Sequence, residues 1–267
     1  MKPLCLVTLI TTILVISLVN IGVAAQNRKD LVLYYAFDEG KGDTVKDLSG
    51  NGNDGTINGA KWVDGKFDKA LEFNGKDNYV DCGDSSSLQI KKEITLAVWV
   101  NLAIPPSQMH SDSRIIAREN SGAGAPWASY ALTVNGNATS FFGFEISADT
   151  PDIYPKSTTL PEVDVWYHLA GVYDGSNCNI YVNGQKEGTL PQSGNLVINS
   201  ALNPMVGADV NRNIEYFQGI IDEVVIYNRV LSEEEILALV EKPLKEMMSV
   251  ESEGKLATIW SQIKAQL

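Results

Sequence analysis

The nine-residue stretch "DLSGNGNDG", positions 47–55, has the composition of a cation-binding loop. Asp47, Ser49 and Asn51 occupy its positions 1, 3 and 5, and Gly52 follows at position 6. Oxygen-bearing side chains at this spacing converge on one point when a glycine permits a sharp turn. The spacing therefore predicts bound Ca²⁺. The alternative is an ordinary turn, in which Asp47 accepts hydrogen bonds from its own backbone.

Two irregular segments carry the groups that a sugar site uses. Such a site needs an aromatic face for the apolar side of the ring and charged or amide groups for its hydroxyls. The predicted ligand-binding residues are Arg118, Glu119, Asn120 and Trp127 in segment 105–129, and Arg212 and Tyr216 in segment 208–216. In the alternative interpretation, Trp127 and Tyr216 only pin their loops to the domain.

Groups for catalysis are sparse. The chain has two histidines, and His168 lies in an apolar strand, where a buried sheet histidine is expected. No Gly-x-Ser-x-Gly, P-loop or His-Glu-x-x-His motif occurs, and no Glu-x-Asp-x-x-Glu strand aligns carboxylates for glycoside hydrolysis. The sequence therefore predicts a protein that is not an enzyme.

The elements that must position these groups are short β-strands. Four runs have strand composition, namely Leu31 to Phe37, Ile94 to Val100, Val165 to Tyr173 and Ile220 to Tyr227. The clearest hairpin is "IYVNGQKEG", in which Asn183-Gly184 suits a type I′ turn. Many short strands at this spacing predict an all-β fold, a two-sheet antiparallel jelly-roll sandwich.

The pattern becomes helical after Arg229. Ser232 and Glu235 form a predicted capping box at the start of a short C-terminal helix that ends before Pro243. Residues 26–241 are the predicted domain, and 242–267 are a linker followed by an amphipathic helix. That last helix either docks on its own domain or serves as a docking element for another surface.

The N-terminus predicts the compartment. Residues 1–25 have the pattern of a secretory signal peptide, so the protein is expected to be secreted, either extracellular or at the cell surface. The alternative is a segment retained as an anchor. Removing Lys2 with the signal changes the formal net charge from −12 to −13. Such an acidic chain predicts no nucleic-acid partner, and no later segment is apolar enough for membrane insertion of the mature chain.

Two cysteines remain after the predicted cleavage. An oxidising compartment would permit a disulfide between Cys82 and Cys178. The sequence leaves open whether the two residues meet or are small core residues.

Five blocks in order resemble a known family. They are "YYAFDEGKGDTVKDLSGNGNDG", "ALEFNGKDNYVD", "ITLAVWVN", "WYHLAGVYDGSNCNIYVNGQKEG" and "VGADVNRNIEYFQGIIDEVVIYNRVLSEEEI". This order resembles the LamG-like jelly-roll domains of the concanavalin A-like lectin/glucanase superfamily. The resemblance implies a secreted module that binds sugar or protein, often with Ca²⁺.

The resemblance also bears on the cation. In such sandwiches the first and last strands lie close together, which implies that Asp38, Asp47, Asn51 and Asp222 form one structural Ca²⁺ site. Asp222 interrupts an apolar strand, where a half-buried carboxylate needs a partner; amide hydrogens of a nearby loop are the alternative to a cation. The sequence thus predicts a secreted, non-catalytic, lectin-like module for a polysaccharide or surface glycan. An extracellular protein-interaction or adhesion module without sugar specificity is the alternative, and a polysaccharide-active enzyme comes third.

Overall fold

Two antiparallel β-sheets face each other across a shared hydrophobic core. The computed structural model describes residues 30–119, 128–136, 139–148, 153–198, 201–209 and 215–249. Residues 30–241 form one compact unit, which contains both sheets. The predicted signal peptide and the predicted final helix lie outside the described residues.

The first sheet has eight strands and contains all four runs that the sequence analysis singled out. Its strands are β1 (Leu31–Tyr35), β4 (Lys61–Asp64), β5 (Lys69–Asn74), β7 (Ile94–Leu102), β11 (Trp166–Tyr173), β12 (Asn177–Val182), β13 (Gln185–Pro191) and β15 (Gln218–Tyr227). The order is β13-β12-β11-β7-β15-β5-β4, and β1 also pairs with β15. The last strand therefore lies between the central strand β7 and the first strand.

The second sheet has seven strands. They are β2 (Thr44–Val45), β3 (Gly55–Asn58), β6 (Tyr79–Asp81), β8 (Ser113–Glu119), β9 (Ala128–Asn135), β10 (Phe141–Ile146) and β14 (Met205–Val206), in the order β10-β9-β8-β14-β6-β3-β2. The predicted two-sheet jelly-roll sandwich is confirmed. The tight fit between the sheets is seen at Gly171 of β11, where a Cβ atom would lie 2.3 Å from the Phe144 ring of β10.

Local signals in the sequence are also confirmed. Asn183 and Gly184 both have positive φ, at 50° and 81°, as the type I′ turn between β12 and β13 requires. Helix α1 (Glu233–Glu241) starts at the predicted capping box, with the Ser232 amide donating to Glu235 Oε2 at 2.8 Å and the Glu235 amide donating to Ser232 Oγ at 3.3 Å. The sequence analysis predicts a linker directly after α1, but residues 244–249 are helical.

A β-bulge interrupts the centre of the first sheet. The pairing of β15 with β7 shifts between Asp222 and Val225, and Glu223 in the bulge has a φ of 51°. The Tyr34 hydroxyl donates to both carboxylate oxygens of Glu223, at 3.0 and 2.9 Å, which holds the bulge against β1. Among the described residues, no helix is long and apolar enough to cross a membrane.

Candidate functional site

A buried arginine organises the face of the seven-stranded sheet that points away from the core. Arg114 is 2% exposed, and its Nη1 lies 2.7 Å from Glu145 Oε2 on β10. Its Nε lies 3.0 Å from Glu119 Oε1 and 3.0 Å from Glu215 Oε2. Burial alone would lower the pKa of the guanidinium, but the three glutamates raise it above its ordinary value. Arg114 is therefore a permanent cation in the centre of an acidic group.

The local structure of β8 explains this arrangement. The register of β8 against β9 shifts between Arg114 and Ile116, and both Ile115 and Ile116 enter the main core. A second shift in the pairing follows between Arg118 and Glu119, and Glu119 lies on the same face as Arg114, whose Nε is 3.0 Å from Glu119 Oε1. A bulge in an apolar strand thus gathers two oppositely charged side chains on one face.

Two of these glutamates, Glu119 and Glu215, also lie very close to a third carboxylate, that of Asp209. Glu119, Asp209 and Glu215 each have an oxygen within 4.8 Å of the others, and all three residues are buried. Burial raises the pKa of the Glu119 carboxyl to about 8; Arg114 opposes the shift, and Asp209 adds to it. We call Glu119, Asp209 and Glu215 the carboxylate cluster.

An open cavity adjoins the carboxylate cluster. It has a volume of about 360 Å³, and its lining includes Gln108, exposed His110, half-buried Tyr216 and Glu215. The Nδ1 atom of His110 lies 4.0 Å from Glu215 Oε1. Glu215 therefore belongs both to the cluster and to the cavity wall.

A second cavity adjoins the first. It has a volume of about 350 Å³, and its lining includes Glu72, Asn74 and Asn78. Lys76 and Gln218 line both cavities. We call the two cavities together the polar trough.

The predicted ligand-binding residues fall in three different settings. The prediction that Arg118 contacts a ligand at the surface is wrong, because Arg118 is fully buried and faces Tyr130 of the core. Glu119 lies in the carboxylate cluster, and Tyr216 lines the polar trough. The remaining three, Asn120, Trp127 and Arg212, lie outside the described residues.

Sequence reasoning missed Glu145 and Glu215, which pair with Arg114. Glu145 carried a usable signal, because a charge inside the apolar run "FFGFEI" needs a buried partner. Glu215 carried none, since only the fold brings it beside β8, where its backbone oxygen accepts the Arg114 amide at 2.8 Å.

The loop at positions 47–55 is held by hydrogen bonds. Asp47 Oδ1 accepts the amides of Tyr34 at 3.1 Å and Ser49 at 2.9 Å. Its Oδ2 accepts the Asn53 amide at 3.0 Å and the Ser49 hydroxyl at 2.7 Å. The Asn51 side-chain nitrogen donates to the Leu31 carbonyl at 2.8 Å. These contacts are the ones that the alternative of an ordinary turn requires.

Asp222 has a different environment from Asp47. Its Oδ2 accepts the Phe67 amide at 3.0 Å and its Oδ1 accepts the Glu223 amide at 2.8 Å. Burial raises the pKa of Asp222 to about 7, these amides oppose the shift, and the nearby charge of Asp38 adds to it. The four residues predicted to form one Ca²⁺ site thus have different partners. Asp47 and Asn51 make hydrogen bonds to backbone groups, whereas the charges of Asp38 and Asp222 interact with each other.

The remaining candidates are core residues. Cys82 and Cys178 are both free, buried thiols instead of a disulfide. The Cys82 thiol neighbours Tyr35, whereas the Cys178 thiol donates to the Phe144 carbonyl. His168 is 2% exposed, its ring meets that of Trp99 edge-on at 5.4 Å, and burial lowers its pKa to about 3. A histidine in this state is a poor general base at neutral pH.

Solved structures with the same fold include sugar-associated and toxin domains. Domain 4 of AbnA, an extracellular arabinanase from Geobacillus stearothermophilus solved with arabinotriose, has a TM-score of 0.61 at 18% identity, covering 79% of this chain and 98% of that domain. The binding domain of Paraclostridial Mosquitocidal Protein 1 has a TM-score of 0.62 at 16% identity, covering 80% of this chain and 52% of that one. Trypanosoma rangeli sialidase has a TM-score of 0.55 at 17% identity, covering 78% of this chain and 32% of that one.

At these low sequence identities, the structural similarity shows a shared fold and nothing more. The chain spans about half the length of the mosquitocidal domain. No curated protein sequence matches the chain significantly. A laminin G family model, described as the Concanavalin A-like lectin/glucanases superfamily, matches residues 74–237. Since this match spans more than half of the chain, the protein belongs to the Concanavalin A-like lectin/glucanases superfamily.

Proposed function

We propose that this protein is a non-catalytic carbohydrate-binding module that holds an oligosaccharide in the polar trough. The observation that carries the proposal is that two adjacent cavities, of about 360 and 350 Å³, share the lining residues Lys76 and Gln218. Two adjacent cavities could hold successive sugar units of a polysaccharide or surface glycan.

The lining of the trough offers the groups that sugars require. Tyr216 supplies an aromatic ring, while Gln108, Gln218 and Asn74 supply amides that can both donate to and accept from hydroxyl groups. Lys76 lines both cavities, and its ammonium group can donate hydrogen bonds to sugar hydroxyl groups. The arabinotriose complex of the arabinanase domain supports the proposal by analogy of fold.

A glycan and polysaccharide panel in calcium-containing buffer tests the proposal. We expect Tyr216→Ala and Gln218→Ala each to weaken binding about tenfold. The contact of the Tyr216 ring with a sugar, or the hydrogen bond of the Gln218 amide to it, should each contribute about 1–2 kcal/mol. Gln89→Ala is a matched control, since Gln89 lines a separate cavity. Wild-type affinity in both trough variants would refute this placement of the site.

A blank panel with folded protein would favour the protein-interaction alternative. An adhesion module would capture an extracellular partner protein, and the capture would survive excess free sugar. A glycan-binding module would lose its partner under the same competition. The proposed export rests on the signal pattern of residues 1–25, which lie outside the described residues.

The carboxylate cluster favours a second candidate, a glycosidase. Its oxygens lie within 4.8 Å, close to the separation of about 5–5.5 Å between carboxyl groups in retaining enzymes. Against this stands burial, because Glu119 and Glu215 are 3% and 6% exposed and Asp209 is fully buried, which leaves no room for a sugar ring between them. Product release from a polymer, measured by mass spectrometry, would establish the enzyme; we expect none.

The structural Ca²⁺ predicted from the sequence is proposed for Asp38 and Asp222. It is supported by the raised pKa of Asp222, to which Asp38 contributes, since a cation would relieve the repulsion of the two carboxylates. We expect Asp222→Asn to reduce any rise of the melting temperature with added Ca²⁺.

A further inference from the structure

We propose that Asn58 is a site of spontaneous covalent modification, at which the side-chain amide becomes a carboxylate through a succinimide ring closed by the backbone nitrogen of Gly59. Asn58 is the last residue of β3, and Gly59 lies in the short connection to β4. The inference goes beyond glycan binding, because the reaction needs neither a ligand nor an enzyme.

The reaction balances with water as its co-reactant. The Gly59 nitrogen attacks Cγ of Asn58, a C–N bond forms, and Asn58 Nδ2 leaves as ammonia together with the proton of the Gly59 amide. Water then opens the ring at one of its two carbonyl groups. One opening gives aspartate, and the other gives isoaspartate, in which the backbone runs through the side-chain carbon. Glycine favours the ring closure because it has no Cβ to crowd the attacking nitrogen.

The sequence contains five Asn-Gly pairs, and in two of them the glycine amide is occupied. The five pairs are 51–52, 58–59, 74–75, 135–136 and 183–184. The Gly75 amide donates to the Phe217 carbonyl at 3.0 Å, and the Gly136 amide donates to the Ser111 carbonyl at 3.2 Å. Asn135 is also buried. A nitrogen engaged in this way must first give up its hydrogen bond before it can attack.

In two other pairs the asparagine side chain is held in place. Asn183 Oδ1 accepts the His168 amide at 2.9 Å, which fixes the carbonyl group that would be attacked. Asn51 Nδ2 has three acceptors, of which the Leu31 carbonyl is the nearest at 2.8 Å. Turning either side chain toward its glycine would break these hydrogen bonds.

Asn58 and Gly59 are the least restrained of the five pairs. The Asn58 side chain is half-buried, and its Nδ2 donates to the Thr56 carbonyl at the long distance of 3.2 Å. Gly59 is exposed, and in the part of the chain that the structure describes its amide has no hydrogen-bond partner. Both the attacking nitrogen and the attacked carbon are therefore accessible.

Strand pairing explains why the Gly59 amide is left over. The Ile57 amide donates to the Asp43 carbonyl at 2.8 Å, on the side of β3 that faces β2. Amides alternate in direction along a strand, so the Gly59 amide leaves the end of β3 on this same side. However, β2 begins at Thr44, which pairs with Thr56, so the chain opposite Gly59 comes before the strand begins.

Modification at Asn58 would alter the polar trough. Gly59 and Asn78 both line the second cavity, and a Cβ atom on Gly59 would lie 2.4 Å from Asn78 Nδ2. The chain thus passes too close to Asn78 to accept the additional backbone carbon of isoaspartate without movement. This consequence rests on the proposed glycan binding, whereas the modification itself does not.

Peptide mapping by mass spectrometry of the purified full chain, stored in mildly alkaline buffer for several weeks, tests the proposal. We expect the Asn58 peptide to gain the mass of exchanging NH₂ for OH at least about fivefold faster than the other four pairs, because each of those must first break a stronger restraint. The same mapping in urea is the control, since unfolding removes the restraints and all five pairs should then react at similar rates. In the folded protein, no mass gain at Asn58, or a faster gain at any other pair, would overturn the assignment.

The variant Asn58→Gln separates the modification from its consequence. It should lose the mass gain in this peptide, because the longer side chain closes its ring with the next nitrogen much more slowly, and it should keep the wild-type melting temperature. Storage should lower the affinity of the wild type for a glycan found with the panel and leave that of Asn58→Gln unchanged. An equal loss in both proteins would refute the effect on the trough. The mapping decides the modification even if the panel identifies no glycan.

Discussion

Replacing Asp47 with alanine tests what holds the loop at 47–55. The Asp47 carboxylate accepts three backbone amides, those of Tyr34, Ser49 and Asn53, at 2.9–3.1 Å, and the Ser49 hydroxyl at 2.7 Å. Each lost hydrogen bond to a backbone amide costs about 1 kcal/mol, so Asp47→Ala should lower the free energy of unfolding by about 3 kcal/mol. For a domain of this size, that corresponds to a fall in melting temperature of about 6–12 °C.

The assay is thermal and urea unfolding of both proteins in Ca²⁺ and in chelator. If hydrogen bonds hold the loop, the loss should be the same in both buffers, because no cation links Asp47 to folding. Asp43→Ala is the control, since Asp43 is exposed in the preceding segment and its replacement should change stability by less than about 0.5 kcal/mol. A loss that appears only in Ca²⁺ would show that Asp47 is a cation ligand after all and would refute the reasoning.

Three further predictions concern the core. Burial holds the pKa of His168 at about 3, below its usual 6.5, so at this residue only the unfolded chain binds a proton between these values, and the contribution of His168 to stability should fall by about 2 kcal/mol from pH 7.5 to 5. The raised pKa values of Asp222 and Glu119 act in the opposite sense, so the measurement is the difference between the wild type and His168→Phe in urea titrations at the two pH values; a difference that does not change with pH would contradict the prediction. Gly171→Ala should cost at least about 1–3 kcal/mol in the same assay, because the new Cβ would lie 2.3 Å from Phe144, and an effect under 0.5 kcal/mol would contradict the tight fit. Cys82, whose pKa burial raises to about 12, and Cys178 should resist iodoacetamide in the native protein and react after unfolding without reductant, as peptide mapping would show; a disulfide would prevent the second reaction.

Much of the scaffold was predictable because its signals are local. The Asn183-Gly184 turn needs only two residues that tolerate positive φ, and the start of α1 needs only the reciprocal bonds of Ser232 and Glu235. Strand positions followed from β-branched and aromatic runs such as that in β15. The bulge at Glu223 was not predictable, because it depends on how β15 pairs with two neighbouring strands.

The candidate site was less accessible from sequence. Glu119 and Tyr216 were named as ligand-binding residues from loop composition, and the structure describes them in two adjoining features, the carboxylate cluster and the polar trough. Arg118 was misplaced because composition cannot tell the two faces of a strand apart once a bulge shifts the alternation. Burial of an arginine beside Tyr130 is a result of that shift.

The sequence by itself determined the class of fold, the positions of four long strands and one hairpin, the capping of α1 and the acidic character of the chain, because these depend on composition and on residues a few positions apart. Only the tertiary structure decided which charges meet. Glu145 and Glu215 are separated from Arg114 by 31 and 101 positions in the sequence. The folded sandwich brings both carboxylates to the guanidinium of Arg114. The same long-range pairing buries Glu119 and opens the polar trough, since strand register and loop closure are properties of the whole sandwich.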